Sequence, residues 1–150
     1  MIRVILDVTQ QTLKITGEQL SKLEEFKETP YLLSDRVVMD FQKIITKEGQ
    51  EVVFFMEMCQ EWRNMQLPVS EMQQVKQIEE AINSLQLVHE QILFILDYCK
   101  DFTINKILQK DDLQLMQELE KNPTKVPDME ALHDMFKEFQ SKANNDKTYI

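Results

Sequence analysis

Apolar and polar residues alternate through the first sixteen positions of the chain. The apolar members of this alternation are Ile2, Val4, Leu6, Val8, Leu13 and Ile15. A period of two with several β-branched residues is typical of strands, and residues 9–11 would supply a short loop. The pattern predicts a β-hairpin over residues 1–16. Because a two-stranded ribbon is marginal alone, this hairpin would have to pack on helices or pair with a strand of another chain.

From Thr16 onward the apolar residues recur every three or four positions, which predicts helices. Residues able to cap helix N-termini are Thr16, Ser34, Ser70, Thr103 and Asp111. Gly49 is expected to end one helix as a left-handed C-cap residue, and Pro68 is expected to end the next. These signals predict a mainly α, single-domain bundle of about five or six helices over residues 17–142. Residues 143–150 are expected to form a loose tail.

One helix, over about residues 70–100, carries the strongest pattern in the chain. Its apolar seam steps regularly by three and four residues through Val75, Ile78, Ile82, Leu85, His89, Ile92, Leu96 and Cys99. The second half of this helix is apolar nearly all round, which predicts a central position in the bundle. The first half has one apolar face, so Val75, Ile78, Ile82 and Leu85 are a candidate interaction surface for a partner or a second subunit.

Composition excludes several classes of function. The chain has 150 residues but only two glycines and four prolines, and neither a phosphate-binding loop nor a dinucleotide fingerprint occurs in it. The two cysteines are too few for a disulfide framework and predict buried, reduced thiols. The sequence shows neither a signal peptide nor a stretch of about 20 apolar residues that could span a bilayer, so a cytoplasmic location is expected.

The formal net charge of −9 is unevenly placed. Residues 1–47 are neutral, whereas residues 48–100 carry nine acids and three bases. Such a field repels nucleic acid and anionic lipid. It favours either solubility alone or a partner with basic character, for example a basic or amphipathic helix.

His89, in the seam of the long helix, is the first candidate for chemistry. A seam histidine can ligate a metal, act as a base or respond to pH, but it can also be a buried polar residue that fixes the register of the bundle. The structural role is the favoured interpretation, because the neighbouring turns of the helix offer no second ligand. A pairing of His89 with Cys59 as nucleophile has no supporting motif, and Cys99 is about 15 Å away along the helix.

Carboxylates supply the other candidates. Glu130 and His133 have the Glu-x-x-His spacing of di-iron bundles, but that site needs the motif twice. Acid pairs at Glu57/Glu61 and Glu79/Glu80 could hold magnesium only with a facing pair and nearby bases. A solvated acidic face is the favoured interpretation of these pairs. The sequence therefore predicts no catalytic residue, no cofactor and no metal.

The leading hypothesis is a non-enzymatic protein-interaction module that binds a protein or a helical peptide through its helix faces. In size and acidity the chain is similar to bacterial secretion chaperones and small adaptor proteins, so a chaperone-like or adaptor role, with homodimerisation through the long helix, is expected. Nine methionines add adaptable contact residues. The alternative hypothesis is a helical bundle with a buried small-molecule or metal site around His89.

Overall fold

The computed structural model describes residues 1–121, which are mainly helical. The elements are α1 (Ile2–Glu25), a turn of 3-10 helix (Pro30–Leu32), α2 (Asp35–Arg63), α3 (Val69–Cys99), α4 (Ile104–Leu108) and α5 (Asp112–Lys121). The predicted helical bundle and its long helix α3 are confirmed. The apolar stripe predicted for a last helix, at Met129, Leu132, Phe136 and Phe139, lies outside the described residues.

Helices α1 and α2 both pack on α3, which is the central helix. One core cluster joins Leu6 near the start of α1 with Val75 of α3 and Cys59 near the end of α2. A second cluster joins Leu23 near the end of α1 with Leu96 of α3. Therefore α1 runs parallel to α3, and α2 runs antiparallel to both. No helix within residues 1–121 is both long and apolar enough to cross a membrane.

The predicted N-terminal β-hairpin is wrong, because residues 2–25 form one continuous helix and no strand occurs in residues 1–121. The buried positions of α1 follow the helical period and include Thr9 and Thr16. The hydroxyl of Thr9 donates to the carbonyl oxygens of Ile5, at 2.9 Å, and Leu6, at 3.0 Å. A buried threonine that bonds to the preceding turn fits in a helical core. Packing against α3 thus outweighs the strand preference of the β-branched residues.

Three of the expected caps are confirmed. Ser34 and Thr103 accept hydrogen bonds from the backbone N–H groups of the third residue after each of them. Asp111 and Gln114 bond reciprocally, as in a capping box. The caps expected at Thr16 and Ser70 are wrong, because Thr16 lies within α1 and α3 begins directly after Pro68.

The helix end expected at Gly49 is also wrong. Helix α2 passes through Gly49 without interruption, and no glycine within residues 1–121 has a positive φ. Val38, Ile45, Val52 and Cys59 are buried at intervals of seven residues on both sides of this position. A continuous buried stripe keeps the helix intact, and it offsets the low helix propensity of a single glycine.

Gly49→Ala is therefore expected to stabilise the protein by about 0.5–1 kcal/mol, because alanine has the better helix propensity and restricts the unfolded chain. A Cβ atom at this position would meet no atom within 4 Å. The midpoint of urea unfolding measures the effect, and Gly17→Ala, in an equally open part of α1, is the matched variant. A destabilised Gly49→Ala variant would mean that the helix does end at this residue.

A polar cluster fixes α4 against the start of α2. The carboxylate of Asp35 accepts hydrogen bonds from the hydroxyl of Thr103 and, at 3.0 Å, from the ammonium group of Lys106. The backbone N–H of Asp35 donates to the side-chain oxygen of Asn105 at 2.8 Å. Burial raises the pKa of Asp35, but the bonds from Thr103 and Lys106 and the charge of Lys106 lower it by more, so the pKa lies below its usual value.

The lowered pKa of Asp35 gives a pH-dependent contribution to stability. Because the folded state favours the carboxylate, this contribution is complete above the usual aspartate pKa of about 3.9 and is lost as the pH falls through the lower, folded value. We expect Asp35→Asn to be less stable than the wild type at pH 6 (about two units above that value) and the difference to shrink in acid. Urea unfolding at several pH values tests this. If the difference in unfolding free energy between wild type and Asp35→Asn stays constant into the acid range, the pairing of Asp35 with Thr103 and Lys106 is contradicted.

Candidate functional site

The four residues of the candidate interaction surface on α3 lie inside the protein. Val75, Ile78 and Ile82 have no exposed surface, and Leu85 is 1% exposed. Leu6 of α1 and Val52 of α2 belong to the same core cluster and cover them. A partner could contact this part of the seam only if α1 or α2 moved away.

His89 is buried at the meeting point of the three long helices. Its Nε2 atom lies 2.9 Å from Oε2 of Glu48 on α2. The hydroxyl of Thr16 on α1 also donates to this carboxylate, at 3.1 Å from Oε1 and 3.3 Å from Oε2. Since a carboxylate accepts hydrogen bonds, the ring proton of His89 is placed on Nε2. One carboxylate thus joins side chains from both neighbouring helices.

The surroundings of this cluster leave little room for a ligand. A cavity of about 10 Å³ lies beside Glu48, lined also by Thr9, Thr12 and Glu51. That volume is at the lower limit for one water molecule. Within residues 1–121 no group of three or more His, Cys, Asp or Glu side chains could hold a metal ion. Glu130 and His133 lie outside the described residues.

Both cysteines are free and buried. Burial and, to a smaller extent, the charge of Glu79 raise the pKa of Cys59 to about 11, although Arg63 lowers it in part. Burial also raises the pKa of Cys99. Because the thiolate is the nucleophile, thiols with raised pKa values are poor catalysts near neutral pH.

The acid pairs do not form a joint site. Glu57, Glu61 and Glu80 are exposed, whereas Glu79 accepts a hydrogen bond from the guanidinium group of Arg63. Two acidic helices that hold magnesium need facing carboxylates. The ion pair between Glu79 and Arg63 instead links α2 to α3.

Two stripes of exposed apolar side chains lie on α1 and α2, and further exposed apolar residues lie elsewhere on α2 and on α3. Val4 is 59% exposed, Val8 42% and Ile15 45%, all on one side of α1. On α2, Ile44 is 56% exposed, Phe54 58% and Met65 56%, with Met58 partly buried between the last two. We call these seven residues the α1–α2 face: Val4, Val8, Ile15, Ile44, Phe54, Met58 and Met65.

Residues beside the two stripes line the small cavity between α1 and α2. On α1, Val8, Thr12 and Ile15 are three or four residues apart and share one side of the helix. Thr12 lines the small cavity between the two helices together with Glu51 of α2. Phe54 follows Glu51 by three residues and lies about one turn further along α2. The sequence pattern missed this face because it assigned Val4 and Val8 to a strand.

Two further features were missed at the His89 cluster. Glu48 occupies a seam position of α2, between the buried residues Ile45 and Val52. It interrupts an apolar seam on α2, as His89 does on α3. When each of two apolar seams contains one polar residue, the two polar residues are candidates for pairing. This signal could be read only once α2 was known to continue through Gly49.

Comparison with protein-family models, curated proteins and solved structures finds no match.

Proposed function

We propose that this protein is a non-enzymatic protein-interaction module, of adaptor or chaperone-like type, that binds a protein or a helical peptide through exposed helix faces in the cytoplasm. The observation that carries the proposal is the α1–α2 face, on which six large apolar side chains are between 42% and 59% exposed. Patches of exposed apolar side chains are typical of interaction sites.

The form of the face supports a helical ligand. Its residues on α1, and those from Phe54 to Met65 on α2, are four and seven residues apart, spacings that keep them on one side of each helix. A groove between two helices accepts the apolar side of an amphipathic helix. Met58 and Met65 add flexible side chains, which adapt to ligands of different shape.

The buried polar groups support a structural rather than a catalytic role. His89 is paired with Glu48 inside the bundle, and the thiols of Cys59 and Cys99 are buried with raised pKa values. A general base or a nucleophile has to be within hydrogen-bond reach of its substrate. Two buried free thiols are also typical of a reducing compartment.

A peptide panel tests the proposed function. Three amphipathic helices of about 18 residues, about 27 Å long, would share leucines at every third and fourth position and differ in a basic, neutral or acidic polar side. We expect saturable one-to-one binding of at least one of them to the full-length protein, measured by fluorescence anisotropy of the labelled peptide. Peptides of scrambled order are the control. The proposed function fails if no ordered peptide binds more tightly than its scrambled form.

A further inference from the structure

Charge is distributed asymmetrically along the α1–α2 face. Along the stripe from Ile44 to Met65, α2 carries four acidic residues, Glu48, Glu51, Glu57 and Glu61, and two basic ones, Lys47 and Arg63. Arg63 is paired with Glu79 of α3. None of Glu51, Glu57 and Glu61 forms an ion pair with another residue of the described chain. The first half of α1 adds no net charge, because Arg3 pairs with Asp7 at 3.4 Å. The apolar residues around Phe54 are thus bordered by carboxylates.

The apolar surface continues to the end of the bundle. A depression of about 320 Å³ there is lined by the apolar residues Met1, Ile2, Trp62, Met65 and Leu67 and by the polar residues Arg3, Glu71 and Gln74. From Ile44 to Met65 the stripe on α2 covers about 30 Å, and from Val4 to Ile15 the stripe on α1 covers about 17 Å, at 1.5 Å per residue. A helix of about five turns, about 27 Å long, would cover most of the stripe on α2 and extend beyond the stripe on α1.

From these observations we infer that the α1–α2 face binds a basic amphipathic helix of another protein, with its apolar side against Val8, Phe54 and Met58 and its basic side chains toward Glu51 and Glu61. This inference rests on the proposed function and names its site and the chemistry of its partner. Complementary charges at the border of an apolar contact select the partner and orient it.

Charge disfavours two other occupants. In a symmetric pair of copies, the same patch meets itself, so the acidic segment 48–62 would lie against its own copy. The segment 128–140 of the same chain is amphipathic in sequence, but it holds four acids and one base. Like charges brought together across a contact are unfavourable.

The peptide panel distinguishes these possibilities by charge. We expect the basic peptide to bind the full-length protein at least about tenfold more tightly than the acidic one at low salt, and this preference to weaken as salt screens the carboxylates. Glu51→Gln with Glu61→Gln should reduce the preference, whereas Glu80→Gln with Glu90→Gln, exposed positions on α3, should not. Preferred binding of the neutral or acidic peptide would leave the proposed function standing and overturn this inference.

Two phenylalanines provide the matched test of position. Phe54 on the face is 58% exposed and Phe94 on α3 is 69% exposed. We expect Phe54→Ala to weaken binding of the basic peptide at least about tenfold, as an aromatic anchor does, and Phe94→Ala to leave it within about twofold. Circular dichroism of both variants serves as the control for folding. Equal losses, or a loss for Phe94→Ala alone, would place the binding site elsewhere and overturn the inference.

Two further measurements identify the other occupants. If the face joins two copies, sedimentation shows a dimer of the wild type that Phe54→Ala dissociates. If residues 128–140 occupy the face, Phe136→Lys in the full-length protein raises the affinity for the basic peptide. Either result would overturn the assignment of the face to a basic partner, whereas a monomer with unchanged affinity in the Phe136→Lys variant supports it.

Discussion

Leu85→Ala is expected to lower the free energy of unfolding by about 2–5 kcal/mol, because it removes buried methyl groups and leaves a cavity in the core. Leu85 is 1% exposed and packs in the core cluster that joins the three long helices. Leu87, two residues further along α3, is 61% exposed. Leu87→Ala is therefore the matched control, with an expected change within about 0.5 kcal/mol. Urea unfolding of both variants measures the difference.

Repeating the unfolding measurements at several protein concentrations tests whether α1 and α2 of the same chain cover the apolar seam of α3. If they do, the unfolding midpoint does not depend on protein concentration. If a second subunit covered Leu85 instead, the midpoint would rise with concentration. Equal effects of Leu85→Ala and Leu87→Ala would contradict the packing of α1 and α2 on α3.

Glu48→Ala is expected to destabilise the protein by about 1–3 kcal/mol, because it leaves the buried ring of His89 and the hydroxyl of Thr16 without their partner. Glu51→Ala, three residues away and exposed, is the control and should change stability by no more than about 0.5 kcal/mol. Thermal and urea unfolding measure both variants. If the two substitutions cost the same, the hydrogen bonds of Glu48 contribute little to the fold.

A double-mutant cycle separates the pair from its surroundings. Replacing both members with leucine, Glu48→Leu with His89→Leu, should lower the free energy of unfolding by less than the sum of the two single changes, because neither member of the pair is then left without its partner.

Zinc tests the alternative hypothesis for the same residue, since a metal that binds the folded state raises its stability. Stabilisation of the wild type by zinc, lost in His89→Leu, would favour the alternative hypothesis of a metal site around His89.

Helix α3 could be predicted from the sequence because its apolar seam has a single polar interruption and the helix contains neither glycine nor proline. Helix α1 could not be predicted in this way. Its buried face includes Thr9 and Thr16, which count as polar in a pattern but satisfy their hydroxyls within the protein. Without these two positions, the remaining Ile, Val and Leu residues fit a period of two as well as a helical period.

Burial of His89 was predicted, but its partner was not. Glu48 is far from His89 in sequence, and the chain contains many other glutamates. The pairing becomes evident only when α2 is continuous, because Glu48 then falls on the same stripe as Ile45 and Val52. The α1–α2 face could be recognised only after two corrections, the helical α1 and the unbroken α2. In a hairpin, Val4, Val8 and Ile15 would not lie along one side of a helix.

The parallel arrangement of α1 and α3 has a consequence for the order of folding. Helices α2 and α3 are joined by residues 64–68 alone and form a local hairpin, whereas contacts between α1 and α3 close a loop that contains the whole of α2. Contacts between distant segments cost more chain entropy and form more slowly. We expect the hairpin of α2 and α3 to form first and α1 to dock last, so amide hydrogens of α1 should exchange with solvent before those of α3.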